Sequence, residues 1–126
     1  MIDSLERGGA EALLVGILKE LNLRFNVILV TLSEHCDFKN EEITCDKKYS
    51  VGFSNKLSLL RCILKLKKII KQHQPSFIHS HLIYSSLAAR LACPGKIPLL
   101  YSVHGELSKS DFNRSWLLTI IEKTSI

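Results

Sequence analysis

Residues 3–11 read Asp3-Ser4-Leu5-Glu6-Arg7-Gly8-Gly9-Ala10-Glu11, and the apolar run Ala12-Leu13-Leu14-Val15 follows at once. Two adjacent glycines stand where an extended segment gives way to a helix. Glycine admits positive φ and lets another backbone or a ligand come close. A helix opening there offers unpaired N–H groups and the positive end of its dipole, which together suit a phosphate or another anion. A bare Gly-Gly also serves as a tight strand-to-helix turn with no ligand. The rest of the chain decides between the two.

Upstream of the glycines only Met1 and Ile2 are available for a strand, where about 5 apolar residues are usual. The first strand is therefore expected to be truncated, or its true start lies upstream. In a doubly wound sheet that strand lies in the interior, flanked on both sides. Downstream, Ala10, Leu13, Leu14, Ile17, Leu18 and Leu21 recur at helical spacing over residues 9–21. Glu11 in the first turn and Lys19 near the last suit the helix dipole.

Val27-Ile28-Leu29-Val30, within residues 25–32, has the β-branched run of a strand buried on both faces. Residues 34–50 are polar, with weak alternation that predicts a loop and one short edge strand. Residues 58–74 predict a second helix. Leu59, Leu60, Ile63, Leu66, Ile69 and Ile70 are expected to face inward, and Arg61, Lys65, Lys67, Lys68 and Lys71 outward. Pro75 ends that helix and opens a buried strand over residues 77–81. A short helix over residues 84–93, a Pro94-Gly95 turn, a strand over residues 98–103, a polar loop and a helix over residues 115–123 complete the chain. Strands alternating with helices predict a Rossmann-like, doubly wound parallel α/β sheet in a single domain of 126 residues.

Composition narrows the class. The chain is 46% hydrophobic and 23% charged, ordinary for a soluble globular domain. No apolar run is long enough to span a bilayer, and the acidic Asp3 and Glu6 do not fit a signal peptide. Cys36, Cys45, Cys62 and Cys93 lack Cys-x-x-Cys spacing, which fits free thiols in a reducing cytoplasm. A net charge of +5 favours an anionic partner surface without naming it.

In a doubly wound sheet, ligands bind outside the carboxyl ends of the strands. The Gly8-Gly9 loop, His79-Ser80-His81 and His104-Gly105 all fall at predicted strand ends, so they are expected to converge on one edge. Alternation puts His79 and His81 on the same side of their strand. His79 reads as the half-buried structural one, and His81, nearer the strand end, as the functional candidate. A neutral His104 imidazole could donate to a sugar hydroxyl or a phosphate, and Gly105 would leave that ligand room.

The residue 3–11 stretch resembles the opening signature of the retaining GT-B glycosyltransferases of the family-4 type. The resemblance recurs at Gln74-Pro75-Ser76-Phe77-Ile78-His79-Ser80-His81 and at Tyr101-Ser102-Val103-His104-Gly105. Three motifs in order span nearly the whole chain. One departure is Pro75-Ser76, where the family usually has Pro-Asp; it bears on strand entry rather than chemistry. The resemblance implies an N-terminal, mainly acceptor-side domain of a polysaccharide- or glycan-building enzyme. Such an enzyme moves a sugar from a nucleotide-sugar donor to a glycan or lipid-linked acceptor, with retention and without a metal or other cofactor. It implies His104 as the catalytic-site histidine near the transferred sugar. It implies Gly8, Gly9, Glu11, His81 and Gly105 as the substrate- and donor-binding set.

The resemblance further implies that the nucleotide is held by a second, C-terminal domain with a Glu-x7-Glu type motif, expected to be absent here or carried by a separate chain. The 126-residue chain alone is then expected to be inactive and marginally stable, with exposed apolar surface. The basic face of the 58–74 helix suits either plain solvation or peripheral contact with anionic headgroups at the inner membrane face. Two rival readings stand beside this one. His79, His81 and His104 could ligate zinc in a hydrolase, although only Glu106 lies near as an orienting carboxylate. A non-catalytic basic α/β module could bind nucleic acid, yet no nucleic-acid-binding motif and no Walker loop is present, so no nucleic-acid partner is expected.

Overall fold

The computed structural model describes residues 1–102. His104, Gly105, the last residue of the 98–103 strand and the expected 115–123 helix lie outside the described residues. Helix α1 (Gly9–Arg24) is followed by strand β1 (Ile28–Thr31) and strand β2 (Lys47–Ser50). Helix α2 (Leu59–His73), strand β3 (Ile78–His81), helix α3 (Ile83–Ala92) and strand β4 (Leu99–Ser102) complete the order. Each expected element within the described residues is present, with ends shifted by a few residues.

β1 pairs with β2 and β3 with β4, both in parallel. The two pairs meet through Ile2, which bridges Thr31 of β1 on one side and His81 of β3 on the other. The Ile2 N–H donates to the Val30 carbonyl at 3.0 Å, and the Leu32 N–H donates back to the Ile2 carbonyl at 3.1 Å. On the opposite edge the Met1 amino group donates to the His79 carbonyl at 2.7 Å. The His81 N–H in turn donates to the Met1 carbonyl at 2.8 Å. Three residues thus take the central place of a five-row parallel sheet, ordered β2, β1, Met1–Asp3, β3, β4. A segment this short suffices because each residue is bonded to a neighbour on one side or the other.

Helices cover both faces. On one, Leu14 and Leu18 of α1 pack with Ile2, Leu5, Leu29 and Phe38. On the other, Cys62, Leu66 and Ile70 of α2 join Ala88 and Ala92 of α3 against Val30, Leu32 and Val51. This three-layer α/β arrangement is the Rossmann-like fold that alternating strand and helix patterns imply. The sequence stripes proved wider than the buried ones. In α1, Leu13 and Ile17 are exposed, and in α2 the expected inward Leu60 points to solvent along with Leu64. All four cysteines are free, and Cys62 lies buried with its thiol directed at the Val51 carbonyl.

Candidate functional site

The carboxyl ends of the parallel strands share one edge of the sheet, and the strand order reverses direction across Met1–Asp3. A crevice above such a switch point is where doubly wound sheets hold their ligands. Here the crevice is built from the segment after Ile2, the His81-Leu82 junction, and the loops leaving β1 and β2.

The approach to Gly8 is pinned to the loop that follows β1. Leu5 is fully buried; its N–H donates to the His35 carbonyl, and the Asp37 N–H donates to its carbonyl at 2.9 Å. The Arg7 N–H donates to Asp37, its guanidinium lies 4.7 Å from the Phe38 ring centroid, and it pairs with Glu42 at 3.1 Å. That ion pair is exposed, so the apolar anchoring of Leu5 holds the loop more firmly than the charges do.

Gly8 is the N-cap of α1, with extended backbone angles of φ −121° and ψ 176°, and Gly9 is the first helical residue. Neither glycine takes a positive φ, so conformational need does not explain the pair. Space does. A side chain at Gly9 would meet nothing within 4 Å, leaving the first turn of α1 open to an approaching group. At Gly8 a Cβ would overlap the Glu11 carboxylate, which folds back over the helix start. Glu11 is therefore the anion nearest this N-terminus, where the dipole favours negative charge.

His81 ends β3 and is only 7% exposed, while His79 is half-buried. Alternation does place the two rings together, with centroids 4.2 Å apart. The burial order is the reverse of the expected one. His81 sits deeper because its backbone is stitched to the central segment, whereas the His79 Nε2 reaches the Ser102 hydroxyl at 2.7 Å. Leu82 follows at φ 72° and ψ 173°, a region that is costly for any residue with a side chain. This turn starts α3 immediately after the strand.

Asp3 is a member of the crevice that the motif reading passed over. Its carboxylate accepts the Ser85 N–H at 2.6 Å, capping the first turn of α3. Burial pushes its carboxyl pKa up, against hydrogen bonds from Ser85 and Tyr84 that pull it down and with the Glu11 charge adding to the rise. The Ser85 hydroxyl donates to the His81 carbonyl. Asp3, Ser85 and His81 therefore form one connected unit, and the only sequence signal for it was the pair of serines opening a helix after a strand.

At the end of β2, Gly52 adopts φ +73°, with Glu34 and Lys65 within 4.0 Å of where its side chain would be. Phe53 stacks on Tyr84 at 6.0 Å between centroids. An exposed tyrosine face beside Glu34, Lys65, Glu11 and backbone amides can hold the apolar face of a sugar ring and accept or donate to its hydroxyls. Among the described residues, no group of three His, Cys, Asp or Glu is placed to hold a metal ion. The zinc reading depends on His104, which lies outside them.

A parallel α/β sheet with its crevice at the switch point is the architecture of nucleotide- and sugar-handling domains. Residues 7–125 match the family model of Glycosyltransferase Family 4, and the chain belongs to that family. No curated protein and no solved structure matches it.

Proposed function

We propose that this chain is the acceptor-side domain of a retaining GT-B glycosyltransferase, working with a nucleotide-sugar donor and a glycan or lipid-linked acceptor. Membership of Glycosyltransferase Family 4 supports sugar transfer in general. The observation that carries the finer reading is the open first turn of α1 at Gly9, on the same sheet edge as His81. There the backbone amides and the helix dipole would meet a diphosphate or an acceptor hydroxyl without a metal. Glu11 would accept from a sugar hydroxyl, and Gly8 would keep the turn low. His104 and Gly105 would complete the cleft beside the transferred sugar. Transfer itself would require a second, donor-holding domain, so the chain alone transfers no sugar.

Gly9→Leu separates this site from the fold. The site is open and the backbone helical, so folding stability is expected to hold or rise slightly. Binding of nucleotide-sugars or glycans, measured by calorimetry across a small panel, is expected to weaken at least about tenfold. Unchanged binding of a ligand that the native chain holds would refute the role of this turn.

A lipid-linked acceptor is favoured by a second observation. Leu57, Leu60 and Leu64 are 92%, 68% and 58% exposed and follow one another at helical spacing. Arg61, Lys65, Lys67, Lys68 and Lys71 lie on the same exposed side of α2. Apolar residues flanked by cations suit the surface of an anionic bilayer. No helix among the described residues is long and apolar enough to cross a membrane. The chain is expected to sediment with vesicles containing phosphatidylglycerol but not with neutral ones. Leu60→Ser with Leu64→Ser should lower that binding several-fold; binding indifferent to lipid charge and to both leucines would count against it.

A further inference from the structure

Between β1 and β3, just upstream of Met1 in the strand direction, the sheet has a slot. A cavity of about 430 Å³ occupies it, lined by Leu14 and Leu18 from α1, Leu66 and Ile70 from α2, and Ile28 and Ile78 from the strands. Lining from both helical layers means the slot runs through the sheet and is not a groove on one face. Its rims are two strands whose outer edges are already paired with β2 and β4.

The inner rim of β1 is specified by the ladder. In a parallel pair, one residue's N–H and C=O point to the same neighbour and the next residue's point away. Val30 gives its carbonyl to Ile2, so its N–H points toward the centre as well. Ile28, two residues earlier, presents its carbonyl the same way. At the floor stands the Met1 amino group, which donates to the His79 carbonyl. Burial makes this amine hard to charge, which a carboxylate beside it would relieve.

We propose that the slot is a strand-acceptor site for a second polypeptide, taking an extended, apolar C-terminal peptide of about three residues parallel to β1 and β3. Its free carboxylate meets the Val30 N–H and the Met1 ammonium. Its terminal N–H donates to the Ile28 carbonyl. Its side chains alternate between the α1 layer and the α2 layer, which is why both faces must be apolar and β-branched residues fit best. A polar peptide would leave its side chains unsatisfied among Leu14, Leu18, Leu66 and Ile70.

The test uses the 126-residue chain and the synthetic peptide acetyl-Lys-Val-Val-Ile with a free carboxyl end. A saturable rise in Tm is expected, because a ligand that binds only the folded state stabilises it. Slower hydrogen exchange at the Val30 amide is expected with it. The C-terminally amidated peptide should bind about tenfold more weakly, having lost a charge-assisted contact. A chain carrying Val-Val-Ile fused ahead of Met1 fills the slot covalently and should no longer bind the peptide. The proposal is overturned if neither peptide shifts Tm, if acid and amide bind equally, or if the fused chain still binds. A concentration-dependent dimer that protects Val30 without peptide would assign the slot to a second copy and overturn it as well.

Discussion

Ile2→Ala is expected to destabilise the domain by about 2–5 kcal/mol, the range for truncating a large aliphatic side chain in a packed core. Ile2 is 0% exposed and packs among Leu5, Leu14, Leu18, Leu29 and Phe38. Its side chain lies where the two strand pairs meet, so the cavity would open on the seam of the sheet. Relaxation there would have to move β1 or β3 away from its outer partner, which makes collapse of the cavity costly. By contrast, Leu13→Ala lies one turn away on the same helix face as exposed residues, is 54% exposed, and should cost no more than about 0.5 kcal/mol. Urea unfolding of the two variants beside the native chain makes the comparison. Equal midpoints for Ile2→Ala and Leu13→Ala would show that the sheet is not held at Ile2.

The second large effect is on pH. Burial holds the Met1 amino group down from its ordinary 8.0 to about 5. A group whose pKa is lowered in the folded chain contributes stability that is full above its unfolded value and lost as pH falls toward its folded one. The window therefore runs from pH 8 down to 5. The loss is about 1.4 kcal/mol per pH unit, or about 4 kcal/mol in all. Asp3 works in the opposite sense, because its carboxyl is raised above 3.8 by burial. Its share is full below 3.8 and is lost as pH rises through the raised value. Acetylating Met1 removes the amine's charge while leaving its N–H to donate to His79, so the acetylated chain should lack the amine's share of the slope. Parallel pH–stability curves for the free and acetylated chains would contradict the burial of this group.

Much of the fold was legible because its signals are local. Val27-Ile28-Leu29-Val30 and Pro75 to His81 announce strands through β-branching and a proline boundary, and the 3.6-residue stripes announce α1 and α2. The central place of Met1 and Ile2 could also be read, since a glycine turn opening a helix must follow a strand. What could not be read is non-local. Asp3 and Ser85 are 82 residues apart and meet only because β3 lands beside the central segment. Leu82 takes a positive φ with no glycine to mark it. Leu60 and Leu64 look like core residues because α2 is apolar on more than one side, and only the placement of β1 and α3 decides which side is covered. Period-2 alternation paired His79 with His81 but carried nothing about depth. The glycine pair was placed correctly at the helix start, yet its value there is open space and not unusual backbone angles.

The carboxyl edge of the sheet, and not the slot at the other end, is the place where sugar chemistry is assigned. Amide chemical-shift mapping of the chain, titrated with a panel of nucleoside-diphosphate sugars and short glycans, tests this directly. The expected result is a set of saturable shifts centred on Gly8, Gly9, Glu11 and Leu82, with Asn26, Ser76 and Phe77 at the opposite edge unmoved. Shifts confined to Asn26, Ser76 and Phe77, or none with any ligand of the panel, would contradict it.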